Sequence, residues 1–90
     1  MFTLGALIKN SSSGPEFQGE ADGQPILVDF DTSALLRLGD RAAGGDLFAA
    51  IDAQRGQIRL AAQRLYEERF FSPNADGLPQ IIISAIDLMN

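Results

Sequence analysis

The chain of 90 residues contains neither cysteine nor histidine. The missing cysteines exclude disulfide bonds and a thiol nucleophile, and the absence of both residue types excludes the usual kinds of zinc site. The serine run at 11–13 has no histidine to activate it, so we interpret this run as part of a linker. We therefore expect no catalytic residue, no cofactor and no metal ion.

Lysine and arginine are also scarce, because 7 of them stand against 12 aspartates and glutamates, for a net charge of −5. Nucleic acid and anionic lipid repel an acidic chain, so neither is a favoured partner. No apolar run approaches the length of a membrane span. The N-terminal MFTLGALIKN lacks the basic start of a signal peptide, since Lys9 follows its apolar stretch. We expect a bacterial cytoplasmic protein with no membrane partner.

The composition that is present is ordinary for a globular protein, with 46% apolar and 21% charged residues. A chain of this size buries only about 60–65% of its unfolded surface, so self-association would usefully add buried area. We expect a single α+β domain over 16–90, after an N-terminal arm and linker over 1–15. Phe2 to Ile8 alternate as a short strand or an apolar arm would, and NSSSGP is a flexible linker by composition.

Two segments are predicted to contribute strands to one sheet. Glu16 to Asp31 is typical of a β-hairpin, because Asp22-Gly23 tolerates the positive φ that a tight turn needs. The second strand of this hairpin alternates, with Ile26, Val28 and Phe30 on one face. Gln80 to Ile86 is a final strand that is apolar on both faces, as strands at the centre of a sheet or at a subunit interface are.

Two helices are predicted between these strands. Asp31 to Ser33 offer capping side chains for a helix of two turns at most, ALLRL, which ends at Gly39. Asp46 to Arg69 forms a long amphipathic helix in which Gly56 is the only helix-breaking residue. The apolar side of this helix carries Leu47, Ile51, Ile58, Ala61, Ala62 and Leu65. The expected fold is therefore α+β, in which a small antiparallel or mixed sheet (the hairpin, the C-terminal strand and, as an option, an N-terminal strand) packs against one long and one short helix.

One flank of the long helix gathers Phe48, Arg55, Arg59 and Tyr66 when the helix is projected at about 100° per residue. Interleaved aromatic and arginine side chains can bind phosphates or stack on bases. In the alternative interpretation they form a boundary stripe, where arginine stems cover the core edge and their charged heads pair with Asp52 or solvent. The helix as a whole is neutral, so it has no strongly basic face.

The opposite flank of the same helix carries a small apolar patch made of Ala49, Ala53 and Leu60. Single apolar residues on a surface need no explanation, so this patch can be scattered surface residues. It can also be the place where a second subunit or the N-terminal arm packs, because a thin core makes extra burial useful.

Three further motifs are weak. Asp29 and Asp31 share a strand face as an acid–base pair would, but Asp31 is needed as a helix cap and no partner base is visible. Ser72 to Gly77 faintly resembles a calcium loop, but Ile83 stands where a bidentate glutamate is required, so we expect a plain turn. Gly44-Gly45-Asp46 lacks the lysine and the serine or threonine of a Walker loop.

The order of these parts resembles a known family. A hairpin with DG at its turn, the short helix SALLRLG, the segment FAAIDAQRGQIRLAAQRLY from Phe48 to Tyr66 and the ending SAIDL are similar to the bacterial domain-of-unknown-function family numbered 1488. The resemblance covers Phe17 to Leu88 and includes no catalytic signature. It implies a small α+β fold and a bacterial cytoplasmic location, and some members of the family are loosely labelled regulators.

Together these features predict a non-enzymatic interaction or regulatory module whose partner is another protein or a second copy of the chain in a homodimer. The alternative is a nucleic-acid-linked transcriptional regulator that uses the flank with Arg55, Arg59 and Tyr66. A small-molecule enzyme has the least support, because histidine and cysteine are absent and no acid–base pair stands out.

Overall fold

A five-stranded mixed sheet organises the chain, and the expected α+β class is confirmed. The computed structural model describes residues 2–10, 14–40 and 47–88. The elements are, in chain order, β1 (Phe2–Asn10), β2 (Gly14–Ala21), β3 (Gln24–Phe30), α1 (Thr32–Asp40), α2 (Leu47–Ala53), α3 (Arg55–Glu67), β4 (Ser72–Pro73), β5 (Pro79–Ile83) and a 3₁₀ helix (Ala85–Leu88).

The strands lie in the order β1-β2-β3-β5-β4. Neighbouring strands are antiparallel except for β3 and β5, which run parallel with Asp29 opposite Ile82. A parallel pair needs a long crossover connection, and the described part of that connection contains α1, α2 and α3. The hairpin and the C-terminal strand therefore belong to one sheet, as predicted.

The turn between β2 and β3 confirms the predicted hairpin. Asp22 and Gly23 adopt φ values of 53° and 83°. Both positive values are those of a type I′ turn, whose twist matches that of the flanking strands. The pairing then continues without interruption from Ala21 opposite Gln24 to Phe17 opposite Val28.

The core lies between one face of the sheet and the apolar sides of the helices. The alternating residues of β3, Ile26, Val28 and Phe30, are all buried, as are Ile81 and Ile83 of β5. From the helices, Ala34, Leu38, Ile51, Ile58, Ala61 and Ala62 complete the buried cluster. Ile58 is 0% exposed, which confirms the predicted packing of this helix face on the sheet.

The predicted long helix is two helices, and this is a correction. The backbone turns at Gln54 (φ −98°, ψ 12°), where its N–H is shared between the carbonyl oxygens of Ala50 and Ile51 at 3.2 and 3.1 Å. Gly56 follows in the first turn of α3, and glycine makes a continuous helix about 1 kcal/mol less favourable than alanine would. The predicted start at Asp46 lies outside the described residues.

The final strand ends at Ile83, three residues earlier than predicted. Beyond it, the side chain of Asp87 accepts the N–H of Ser84 at 2.9 Å and so favours a helical turn. Ile86, which was expected to continue the strand, is 74% exposed on the 3₁₀ helix.

The N-terminal segment was predicted to be either a short strand or an apolar arm. It forms the strand β1, which pairs antiparallel with β2. A bulge between Leu4 and Leu7 interrupts this ladder. At Gly19 the two strands approach so closely that a Cβ would lie 2.6 Å from the carbonyl oxygen of Thr3, so only glycine fits there. The first three strands therefore form a continuous meander.

Candidate interaction sites

Arg55 begins α3 and reaches across to the bulge in β1. Its Nη1 donates to the carbonyl oxygen of Gly5 at 2.7 Å and, more weakly, to that of Leu4 at 3.4 Å. Its Nε and Nη2 donate to the carboxylate of Asp52 at 3.2 and 3.0 Å. The guanidinium also lies 4.9 Å from the centroid of the Phe17 ring. Arg55 is thus engaged by the protein itself, and it supplies a donor where the bulge disrupts the ladder.

Of the three other members of the predicted phosphate- or base-binding flank, Arg59 and Tyr66 have separate partners. Arg59 donates to the side-chain oxygen of Gln63 at 3.0 Å, one turn further along α3. Tyr66 stacks on Phe71, with ring centroids 5.1 Å apart and an angle of 16° between the planes. Phe48 is half-buried on α2. The described contacts therefore direct the members of this flank to different parts of the fold.

The predicted patch of Ala49, Ala53 and Leu60 is divided between two helices. Ala49 and Ala53 are exposed on α2, whereas Leu60 lies on α3 and is 57% exposed. Because the chain turns at Gln54, a projection onto one straight helix does not describe how these residues are arranged. The patch is therefore divided between two consecutive helices.

Asp31 is a structural carboxylate that connects the start of α1 to the end of β5. Its Oδ1 accepts hydrogen bonds from the hydroxyl of Ser33 at 2.6 Å and from the N–H of Ala34 at 2.9 Å, which makes Asp31 the helix cap. Its Oδ2 accepts a further bond from the hydroxyl of Ser84. The bonds from Ser33 and then Ser84 hold the pKa of Asp31 below its ordinary value. The carboxylate of Asp29 instead accepts a hydrogen bond from the side-chain amide of Gln80 in β5, so the two carboxylates have different partners.

The segment that faintly resembles a calcium loop is closed by its own hydrogen bonds. Oδ1 of Asn74 accepts the N–H groups of Asp76 and Leu78, each at 2.9 Å, which is the arrangement of a turn. Within residues 2–10, 14–40 and 47–88, no three potential metal ligands lie together. The motif at 44–46 and the serines at 11–13 lie outside the described residues.

A cleft of about 470 Å³ opens between the start of β1, the turn that follows β2 and the end of α3. Its apolar wall is lined by the buried Phe2 and Ala21 and by the half-buried rings of Tyr66 and Phe71. Phe2 is tilted by 56° against Tyr66 at 5.9 Å, and Phe71 stacks on the same tyrosine. We call this site the aromatic cleft. Its volume lies in the range of roughly 300–1,000 Å³ that is usual for ligand-binding pockets.

Four polar side chains, those of Asp22, Gln63, Glu67 and Arg69, also line the aromatic cleft. Asp22 and Arg69 are the two residues other than glycine with positive φ in the described part of the chain. Arg69, with φ 63°, follows α3 in the position that glycine usually occupies, and the next N–H returns to the carbonyl oxygen of Leu65 at 2.8 Å. Asp22 directly follows β2, Arg69 follows the end of α3, and both residues line the aromatic cleft.

The sequence pattern identified only part of this cleft. Tyr66 was assigned to the predicted flank, and the DG motif placed Asp22 in a turn. Phe2 and Phe71 carried no signal for a shared site, because they lie near opposite ends of the chain and meet only once β1 has paired. A pair of phenylalanines directly after a predicted helix was the one local indication available at Phe71.

A second, more open groove of about 360 Å³ adjoins the aromatic cleft and shares Arg69 and Phe71 with it. It is lined in part by Phe70 and Ile82, which are 64% and 54% exposed. The short β4 pairs with β5 only at Pro79 and Gln80. Within the described residues, the rest of β5 therefore has no paired strand on this side.

No family model matches the chain, and the comparisons with curated proteins and with solved structures also found no match. The resemblance to the family numbered 1488 therefore stays a prediction. None of the described helices is long and apolar enough to cross a membrane.

Proposed function

We propose that this chain is a non-enzymatic interaction module of the bacterial cytoplasm, and that it binds its partner in the aromatic cleft. The observation that carries this proposal is the composition of the cleft, in which three aromatic rings form a wall beside four polar side chains. Concave sites with an apolar wall and a few polar groups are typical binding sites, because the wall provides buried area and the polar groups provide orientation.

The proposal of a binding role rather than catalysis is supported by the structural tasks of the two carboxylates that were considered as an acid–base pair. Asp31, whose pKa is lowered, caps α1, and Asp29 is hydrogen-bonded to β5. Neither lines the aromatic cleft. The chain also has no histidine or cysteine, the residues that most often act as general base or nucleophile at neutral pH.

A pull-down from a lysate of the source organism, with the purified full-length chain as bait, tests this proposal. We expect a partner that is retained by the natural chain and lost by a Phe71→Ala variant, because Phe71 lines the aromatic cleft. Phe70→Ala is the matched control, since Phe70 is the neighbouring ring but is 64% exposed and lies outside the cleft. Circular dichroism must show that both variants are folded. A partner that survives Phe71→Ala would contradict the proposal.

The alternative of a nucleic-acid-linked regulator has less support from the described contacts. Arg55 is directed to Gly5 and Asp52, and Arg59 is paired with Gln63. With a net charge of −5, we expect no measurable binding of duplex DNA at physiological salt in a fluorescence-anisotropy titration. Sub-micromolar, salt-sensitive binding that disappears in an Arg55→Ala/Arg59→Ala variant would favour the alternative instead.

Self-association is a second candidate, and the exposed pair Phe70 and Ile82 supports it. Association through the second groove should appear in light scattering as a dimer at high protein concentration, and an Ile82→Lys variant should restore the monomer, because a charge would have to be buried. A natural chain that stays monomeric at high concentration would exclude the homodimer.

A further inference from the structure

The aromatic cleft has the chemistry that recognises a flat organic cation. Resting on the proposed function above, we propose that the cleft binds an arginine side chain presented by a partner protein. A guanidinium is planar, stacks on aromatic faces and pairs with carboxylates through a fork of N–H donors. The half-buried rings of Tyr66 and Phe71 supply the aromatic surface, with the buried Phe2 behind them, and Glu67 supplies a carboxylate to the lining.

The charges around the cleft favour a cation over an anion. Asp22 and Glu67 at the rim carry two negative charges, against one positive charge on Arg69. The whole chain carries a net charge of −5, so its long-range field attracts basic segments and repels acidic ones. A ligand with a positive head and an apolar stem matches both the rim and the ring wall.

The shape of the apolar wall favours arginine over lysine. Tyr66 and Phe71 are nearly parallel, at an angle of 16°, and so present a layered aromatic surface. A planar guanidinium extends such a stack, whereas a compact, strongly hydrated ammonium group loses more solvation when it approaches the rings.

The chain already contains the same arrangement for one of its own arginines. The guanidinium of Arg55 lies 4.9 Å from the centroid of the Phe17 ring and donates two hydrogen bonds to Asp52. A ring below the guanidinium and a carboxylate beside it thus hold an arginine within this fold. The aromatic cleft offers the same two kinds of group, Phe71 with its stacked neighbour and Glu67, on the surface.

The binding can be measured through the protein's own fluorescence. The chain has one tyrosine and no tryptophan, so its tyrosine emission reports on Tyr66 in the cleft alone. The full-length chain is titrated with a glycine-serine peptide that carries two adjacent arginines, and with matched peptides that carry lysines or glutamates. We expect the arginine peptide to bind at least about threefold more tightly than the lysine peptide, because only its guanidinium groups extend the stack. We expect no binding of the glutamate peptide.

Two variants separate the cleft from the general acidity of the chain. Glu67→Gln should weaken binding of the arginine peptide about twofold to fivefold, the usual range for an exposed ion pair. Glu68→Gln removes the same charge from the neighbouring exposed residue, which does not line the cleft, and should leave the affinity unchanged. Phe71→Leu should also weaken binding about twofold to fivefold while preserving an apolar side chain.

Three results would overturn this inference. These are equal affinities for the arginine and lysine peptides, tighter binding of the glutamate peptide, or equal losses with Glu67→Gln and Glu68→Gln. If the arginine peptide fails while Phe71→Ala still loses its partner in the pull-down, the ligand class is wrong and the proposed function stands. If Phe71→Ala retains that partner, the proposed function itself fails.

Discussion

Replacing Arg55 should destabilise the fold more than replacing any exposed arginine normally does. The side chain joins the start of α3 to the bulge of β1 by donating to the carbonyl oxygen of Gly5 at 2.7 Å. This hydrogen bond is exposed, so water can replace the lost donor, and it contributes about 0.5–1.5 kcal/mol. The contact with the Phe17 ring at 4.9 Å adds about 0.5–1 kcal/mol.

The ion pair between Arg55 and Asp52 adds little to this total. The two side chains are 39% and 61% exposed, so solvent screens their attraction and we assign it less than about 0.5 kcal/mol. Because such contributions are not additive, we expect Arg55→Ala to lower the free energy of unfolding by about 1–2 kcal/mol. Arg55→Lys should recover less than half of the loss, since an ammonium group cannot reproduce the planar fork.

Urea denaturation followed by circular dichroism measures these differences. Arg64→Ala is the matched control, because Arg64 lies on the same helix, is 52% exposed and approaches Asp87 only at 3.7 Å. Its loss should stay below about 0.5 kcal/mol. If Arg55→Ala is as stable as the natural chain, or if Arg64→Ala costs as much, the role assigned to Arg55 at the bulge is wrong.

Three further predictions concern other parts of the fold. Ile58→Ala should cost roughly 2–4 kcal/mol in urea denaturation because Ile58 is fully buried, and a cost below that of an exposed Leu60→Ala would contradict the packing. Asp31 has a lowered pKa in the fold, so its stabilisation is present above its ordinary value of 3.8 and is lost as the pH falls through the folded-state pKa. Stability measured from pH 6 downwards should therefore decline less steeply in Asp31→Asn than in the natural chain, and equal slopes would refute this contribution. Arg69→Gly should raise the melting temperature, because Arg69 has a left-handed backbone conformation that costs a residue other than glycine about 1–2 kcal/mol. This relief exceeds the roughly 0.5–1 kcal/mol that glycine costs through the entropy of the unfolded chain. A lower melting temperature would count against strain at Arg69.

The parts of the fold that the sequence predicted well are those governed by local chemistry. Asp22-Gly23 adopts the positive φ values that its residue types favour, and the alternation in β3 buries Ile26 and Val28 as expected. Asp31 was one of the three capping candidates before α1, and its carboxylate accepts the N–H of the first buried alanine of that helix. Each of these features depends on residues within a few positions of one another.

The features that were missed depend on contacts between distant residues. The break at Gln54 was not visible, because the apolar spacing continues through it and Gly56 was the only local indication. The partner of Arg55 is a carbonyl of a bulge in β1, and a helical projection cannot reveal a bond to a strand. The aromatic cleft likewise requires Phe2 and Phe71 to be brought together by the sheet and the helix end.

The parallel pairing of β3 and β5 has a consequence for the order in which the chain folds. The first three strands are joined by short connections, so their meander can form from residues 2–30 alone. Asp29 meets Ile82 only after the whole helical region has been synthesised, and closing so long a loop is slow. Because domains are synthesised from the N-terminus, the nascent meander exposes the apolar face that later contacts α3.

The nascent chain cannot complete its sheet until β5 has been synthesised. A chain that stops before Pro79 lacks β5 and with it Ile81 and Ile83, which are fully buried in the complete protein. We expect such a chain to keep the hairpin but to aggregate, since β3 then has an unpaired edge and the core lacks the apolar side chains of β5. Pulse-labelled hydrogen exchange during refolding should protect the amides of β2 before those of β5, and simultaneous protection would show instead that the sheet forms in one step.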